Sequence, residues 1–349
     1  MTAGFPRAKS VVFLENKRGG RVNSKTKFLV SAAVHLTYIL NLVIKYSRIM
    51  IECIKFMIEK ELPSIQKNIS LAQYTTFKIG GKARYFFIAK TKEDLIKAIS
   101  FARKSKIPFF ILGGGSNLLV SDKGYKGLVI KMRLTRFLEG KNACAEAGVT
   151  LNGLVRMSLE KGLSGMEWAA GIPGTVGGAI YGNAGAFGKS MKDNIEKVEV
   201  LDIKNLKVKS LKNKDCKFGY RESVFKKNKN LILISATLKL KKGEKEKIKE
   251  LIEKHLEYRK TVQPLNYPSA GSVFKNTENK RGLTVGKLIE ECGLKGKKIG
   301  RAKISEKHAN FIVNLGGAKE KDVKKLINLI KRKVKSKFKI VLEEEVQFL

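Results

Sequence analysis

Cysteine, histidine and tryptophan are scarce in this chain of 349 residues, which carries 4, 3 and 1 of them. Cys53, Cys144, Cys216 and Cys292 stand far apart and form no C-x-x-C pair. With His35, His255 and His308 equally scattered, no metal-site spacing appears, and no metal is expected. Isolated cysteines of this kind are those of a reduced, cytoplasmic protein, not of a disulfide framework. Acidic side chains are also few: 31 Asp and Glu face 71 Lys and Arg, a formal net charge of +40. That balance invites a nucleic-acid partner. Yet the lysines run along almost the whole chain. Runs such as Lys324-Lys325 and Lys331-Arg332-Lys333 fall on helical patterns with an apolar stripe, where charge forms the wetted face. The expectation is therefore no nucleic acid, but an anionic small molecule drawn by the same field.

Long hydrophobic runs are missing except at residues 28–44, which include His35 and Asn41. That run is shorter than the roughly 20 apolar residues that span a bilayer. It follows a basic start (Arg7, Lys9, Lys17, Arg18, Arg21, Lys25, Lys27) and no clear small-x-small cleavage site comes after it. Residues 1–56 thus read as a separate extension. Met57 opens M-I-E-K-E-L-P like an ordinary protein start, so the working protein is expected to begin near Met50 or Met57. A weak membrane anchor is the alternative, and membrane contact is expected only if residues 28–44 belong to the working protein.

What the chain does have is glycine in clusters. Residues 171–188 read G-I-P-G-T-V-G-G-A-I-Y-G-N-A-G-A-F-G. Glycine without a Cβ costs about 0.5–1 kcal/mol of entropy in a regular element. So dense a cluster implies close approach of backbone to something, such as an anion or a flat cofactor. Linkers are polar and Gly/Ser-rich, whereas Ile172, Val176, Ile180, Tyr181 and Phe187 would anchor this stretch. A second cluster, Gly113-Gly114-Gly115-Ser116-Asn117, follows an apolar strand pattern at Phe109–Leu112. It suits a phosphate cradle, and equally a tight turn.

Periodicity predicts helices over Lys92–Lys104 and residues 151–161, 245–260, 283–292 and 319–336. Strands are expected at residues 128–130, 144–149, 198–203, 208–211, 231–240, 311–313 and 340–348. No βαβ alternation carrying G-x-G-x-x-G appears, which argues against a Rossmann dinucleotide fold. The polar K-K-G-E-K-E-K run places a boundary near 243–246, before a small α+β domain. The expected organisation is an extension (1–56), a cofactor region (57–243) and a C-terminal domain (246–349).

Six segments together resemble the UDP-N-acetylenolpyruvoylglucosamine reductase (UDP-N-acetylmuramate dehydrogenase) family. They are T-T-F-K-I-G-G-K-A at 75–83, L-G-G-G-S-N-L-L at 112–119, the stretch at 171–188, F-G-Y-R-E-S-V-F at 218–225, P-S-A-G-S-V-F-K-N at 268–276 and L-E-E-E-V at 342–346. They follow the family's order and spacing over about residues 57–349, and the length resembles the shorter type that lacks an inserted substrate-covering loop. The resemblance implies an α+β protein: a PCMH-type (vanillyl-alcohol-oxidase-like) FAD-binding fold of two subdomains, plus a C-terminal α+β substrate-binding domain whose last strand returns toward the active site. It implies non-covalent FAD, and no histidine lies in the glycine clusters to carry a covalent flavin. NADPH is the implied co-substrate, and a UDP-sugar enolpyruvate the implied substrate, reduced to UDP-N-acetylmuramate for peptidoglycan by a monomeric cytoplasmic enzyme.

The same resemblance assigns residues. Gly113, Gly114, Gly115, Ser116 and Asn117, with Gly171, Ile172, Pro173, Gly174, Thr175, Val176, Gly177 and Gly178, would contact FAD. In the family's scheme hydride passes from flavin N5 to C3 of the enolpyruvyl group. Arg221 matches the active-site arginine, whose guanidinium can grip a carboxylate bidentately. Ser272 matches the donor of a proton to C2, and Glu345 the glutamate near the developing enolate, where a carboxylate must be protonated or bridged by a donor. Tyr220, Arg259, Lys275 and Asn276 are expected to touch substrate. Phe187 is a departure, since many relatives carry tyrosine there. Two other readings stay open: a different flavoenzyme of the same fold oxidising sugars or lactones, and a basic nucleic-acid-binding protein.

Overall fold

The computed structural model describes residues 24–138, 143–278 and 281–349. Two compact units divide between Ile58 and Glu59. In the first, the apolar run expected at 28–44 is part of one helix, Ser24–Glu61, which continues through Met50 and Met57. Leu36, Tyr38 and Leu40 on it are exposed. Among the described residues no helix is long and apolar enough to cross a membrane. Most of the basic start lies in residues 1–23, outside the described residues.

The second unit begins with a four-stranded sheet in the order Gln66–Ser70, Lys82–Ala89, Tyr125–Met132, Phe109–Leu112. The first pair is antiparallel, and the last three strands in that order are mutually parallel. Helix Lys92–Lys104 makes the crossover between two of them. Its start is fixed by a capping box: the Thr91 hydroxyl accepts from the Asp94 N–H at 3.1 Å, and the Asp94 carboxylate accepts from the Thr91 N–H at 3.1 Å. Leu95, Ala98, Ile99 and Ala102 on one face are wholly buried. The expected strand Phe109–Leu112 is present and runs directly into Gly113, so the first glycine cluster sits at the carboxyl edge of three parallel strands. Loops at that edge are where open α/β sheets bind ligands.

A five-stranded antiparallel sheet follows, in the order Lys207–Lys212, Ile195–Asp202, Leu231–Leu238, Ala143–Glu146, Phe137–Leu138. Helix Lys245–Val262 packs against helix Leu151–Glu160 and the turn Glu167–Ala169. The last sheet is antiparallel: Ser269–Ser272, Phe311–Asn314, Ala302–Ile304, Lys298–Ile299. Helices Val285–Glu291 and Glu320–Phe338 supply Leu288, Ile289, Leu326, Ile327 and Ile330 to its core, which also includes Phe77 and Leu119 from the first part of the chain.

The strand expected at 340–348 is not a continuous one. Only Gln347–Phe348 is strand, parallel to Leu118–Leu119. The chain changes partner within this segment. Glu345 N–H donates to the Val273 carbonyl at 2.8 Å, and Lys275 N–H donates to the Glu343 carbonyl at 3.0 Å. Two residues on, Gln347 N–H donates to the Asn117 carbonyl at 3.1 Å. Neither ladder is long enough to make a regular strand, but the switch brings Glu345 between the first glycine cluster and the Ser272 strand.

Candidate active site

The two glycine clusters touch backbone to backbone. A Cβ on Gly114 would lie 2.6 Å from the Gly174 Cα, and one on Gly113 would lie 2.8 Å from the Thr175 hydroxyl oxygen. Gly115 has φ +65° and its Cβ would fall 2.1 Å from the Tyr74 carbonyl oxygen, so any side chain there is excluded twice over. Not every glycine serves a ligand. Gly177 N–H is spent on the Ala147 carbonyl at 2.9 Å, Val176 N–H on Val149 at 2.8 Å and Ile172 N–H on Ala169 at 3.0 Å. Gly178 N–H turns back to the Thr175 hydroxyl at 3.4 Å. By contrast, the N–H groups of Gly114, Gly115, Ser116, Asn117, Gly174 and Thr175 meet no acceptor among the described residues. Six bare donors around a backbone contact with no Cβ in the way form the kind of concavity that binds a diphosphate. The residues present therefore fit a dinucleotide cofactor. The Asn117 side chain faces elsewhere and donates to the Glu345 carbonyl at 2.9 Å, tying the cradle to the segment that carries Glu345.

Arg221, Ser272 and Glu345 come from three distant parts of the chain. Arg221 Nε donates to Glu345 Oε1 at 2.7 Å, and its Nη2 donates to the Gly185 carbonyl at 3.1 Å. The turn that presents it is closed by reciprocal backbone hydrogen bonds between Gly219 and Glu222, at 3.0 and 3.2 Å. Arg221 itself has φ +55°, a left-handed conformation that non-glycine residues rarely adopt. Ser272 ends the strand Ser269–Ser272, one residue before the Val273 carbonyl that holds Glu345. Its hydroxyl makes no hydrogen bond among the described residues and stays open to a ligand.

Of the expected substrate contacts, Tyr220 and Asn276 are joined: Asn276 N–H donates to the Tyr220 hydroxyl at 3.1 Å. Lys275 pairs with Glu222 at 3.1 Å and with Glu343 at 2.5 Å. Burial alone would lower the Lys275 ammonium, but these two hydrogen bonds hold it above the ordinary lysine range. Glu222 answers in kind: burial would raise it, and Lys275, then Lys226 and Lys227, keep it low. Glu344 pairs instead with Lys331 of helix Glu320–Phe338 at 2.8 Å.

Arg259, expected to touch substrate, is anchored on the glycine-rich stretch. It is buried, and its Nε and Nη2 donate to the Ala170 and Trp168 carbonyls at 2.7 and 3.3 Å. Burial pulls its guanidinium below the usual range. Its contacts are with the glycine-rich stretch, where its side chain meets Gly171, and it braces that loop. Phe187, where the resemblance leads one to expect tyrosine, turns the hairpin Gly185–Ser190 at φ +51°. Its ring stacks on His255 at 4.0 Å, with the Arg259 guanidinium 5.2 Å from its centroid.

One residue escaped the sequence reading. Lys226, on the single helical turn Val224–Lys227, donates from Nζ to the Arg221 carbonyl at 2.7 Å. Burial lowers its ammonium and Lys275 adds to that, while Glu222, Glu345 and Glu343 oppose. No pattern marks it, because the contact exists only once the short turn folds it back beneath Arg221.

Comparison with known proteins decides the family. The sequence model of the FAD binding domain matches residues 83–209. That of the UDP-N-acetylenolpyruvoylglucosamine reductase C-terminal domain matches residues 263–349. The UDP-N-acetylenolpyruvoylglucosamine reductase of Caldanaerobacter subterraneus subsp. tengcongensis is 46% identical over 284 residues, 81% of this chain and 92% of its own length. The chain belongs to the UDP-N-acetylenolpyruvoylglucosamine reductase family. The Caldicellulosiruptor bescii reductase is 48% identical over 288 residues, 81% of this chain and 90% of its own. The crystal structure of the Thermus caldophilus reductase superposes with TM-score 0.70 at 37% identity, covering 81% of this chain and 99% of that one. The fold is thus the PCMH-type FAD-binding architecture with the reductase C-terminal domain, and FAD is the cofactor. The reductase C-terminal match begins at 263, just after helix Lys245–Val262.

Proposed function

We propose that this flavoprotein reduces the enolpyruvyl ether of UDP-N-acetylglucosamine to the lactyl ether, UDP-N-acetylmuramate, for peptidoglycan synthesis, with NADPH as the source of electrons. The single observation that carries the reading is the Arg221–Glu345 pair beside an unengaged Ser272 hydroxyl, tied through Asn117 to the bare N–H cradle. FAD, when bound, supplies a hydride from N5 to C3 of the enolpyruvyl group.

The protein's own groups do the rest. Nε and Nη2 of Arg221 are committed to Glu345 and Gly185, while Nη1 has no partner among the described residues. That end of the fork can bind the substrate carboxylate and stabilise charge as it spreads from C2. Glu345 orients the guanidinium, and the ion pair keeps its carboxylate from opposing the developing anion as a bare charge would. In this reading Ser272 hands a proton to C2. Its hydroxyl is a weak acid in water, and cations of the cluster that Glu345 and Glu222 join to its segment, Arg221, Lys226 and Lys275, would favour its deprotonation. Tyr220 and Asn276 flank the same turn, and Lys275 offers a cation to the sugar nucleotide's diphosphate. The reading entails a cytoplasmic monomer without a nucleic-acid partner.

Ser272→Ala tests it. NADPH should bleach the flavin at the wild-type rate, while reoxidation by the enolpyruvyl sugar nucleotide falls by about 10²- to 10⁴-fold, the usual weight of a positioned acid. Wild-type rates in both half-reactions would remove Ser272 from the mechanism.

A further inference from the structure

Lys131 lies on the strand Tyr125–Met132, paired in register with Leu112, the residue that leads into the first glycine cluster. Strand alternation puts it on the face that carries Val129, with Leu112 and Ile88 as its neighbours across the sheet. That face packs against Leu118 and Val120, just beyond the cluster. Its Nζ donates to the Gly113 carbonyl. No carboxylate lies within ion-pair distance of it among the described residues. The charge nearest in influence is a like one, Arg133, and it adds to burial in pulling the ammonium below the ordinary lysine range. A half-buried cation with no counterion is costly on its own. Here it sits under a loop whose next four N–H groups meet no acceptor among the described residues.

Both observations point to one missing ligand class, an anion at the carboxyl edge of the parallel strands. We propose that Lys131 is the counter-charge of the FAD diphosphate, reaching it from beneath the Gly113–Asn117 loop while the N–H groups of 114–117 grip it from above. The glycine loop supplies shape and hydrogen bonds that any such cofactor would use. Lys131 supplies the full positive charge, which the backbone cannot. It therefore separates phosphorylated flavins from uncharged ones, and it makes cofactor affinity sensitive to salt.

Lys131→Met removes the charge at nearly constant volume, and Lys131→Arg keeps it. FAD and riboflavin are titrated into each apoprotein by flavin fluorescence quenching, at low and high salt, with melting of the apoproteins followed in parallel. For Lys131→Met, FAD should bind about 10- to 100-fold more weakly, the weight of a lost hydrogen bond to a charged group. Riboflavin affinity should not change, and the salt dependence of FAD binding should flatten. The apoprotein should melt no lower than wild type, because an unpaired charge has left a half-buried site. Lys131→Arg should hold FAD within a few-fold of wild type. Equal FAD affinity and equal salt dependence in Lys131→Met and wild type would overturn the inference. So would a drop in apoprotein melting temperature with FAD and riboflavin weakened alike, which would make Lys131 a structural prop. Wild-type protein that binds no FAD would refute the cofactor assignment, and this inference with it.

Discussion

Replacing Gly114 by alanine tests the contact between the two glycine clusters. The new Cβ would sit 2.6 Å from the Gly174 Cα and 3.1 Å from the Gly174 carbonyl carbon. Two carbons are comfortable at roughly 3.5–4.0 Å, so the loops must part by about 1 Å. Neither side is the end of a flexible side chain, so rotamer change gives no relief. Overpacking of this kind costs about 1–3 kcal/mol. The same displacement spreads the donors of 114–117 from those of 174–175, so FAD bears the cost too. At about 1.4 kcal/mol per decade, the FAD dissociation constant should rise roughly 5- to 100-fold. The apoprotein should melt about 2–12 °C lower, taking roughly 2–4 °C per kcal/mol for a domain of this size. Gly182→Ala is the matched control: its Cβ meets nothing within 4 Å, so apoprotein stability should hold or rise by about 0.5–1 kcal/mol. Flavin fluorescence quenching and thermal melting read both variants. A Gly114→Ala protein with wild-type melting and wild-type FAD affinity would show that the clusters do not meet as described.

Further expectations follow from the charged cluster and the core. Lys226→Met should slow reoxidation of the reduced flavin by about tenfold, because Arg221 loses the partner of its left-handed carbonyl, while flavin reduction by NADPH keeps its rate. Lys226→Arg should restore most of the loss, and stopped-flow absorbance follows both half-reactions. Glu222, held low, stabilises the fold above its unfolded value of about 4.3, and that contribution goes as pH falls through the lower folded value. Lys275, held high, contributes fully below about 10.4 and loses its share as pH climbs through the raised folded value. Denaturant titrations of Lys275→Met should therefore show flatter acid and alkaline limbs than wild type; identical limbs would remove the pair from the pH dependence. Burial pushes the Cys216 thiol up to about 11, so native protein at neutral pH should resist alkylation there until it unfolds, as mass spectrometry of labelled peptides would show.

Much of this was legible in the sequence because it is local. The apolar period of Leu95, Ala98, Ile99 and Ala102 marks the helix Lys92–Lys104, and that helix has the expected bounds. Phe109–Leu112 stands where four apolar residues meet a glycine. Long-range geometry left weaker traces. The segment 340–346 carries strand composition, but its backbone is divided between Val273 and Asn117, which nothing within the segment encodes. Arg259 reads as a substrate contact, and nothing in the sequence shows that its Nε and Nη2 are held by the Ala170 and Trp168 carbonyls. Lys226 and Lys131 were hidden among many lysines, since what marks them is the backbone oxygen each one reaches. The glycine clusters told the truth only in part: some glycines admit a ligand, and others let one loop lie against the next.

The most direct measurement is an anaerobic turnover by halves. Yellow holoprotein is bleached at about 450 nm with one equivalent of NADPH, then mixed with one equivalent of the enolpyruvyl sugar nucleotide. The account predicts full return of the flavin absorbance and one equivalent of UDP-N-acetylmuramate. Protein that stays bleached with this compound, and regains its colour only on admitting oxygen, would contradict it.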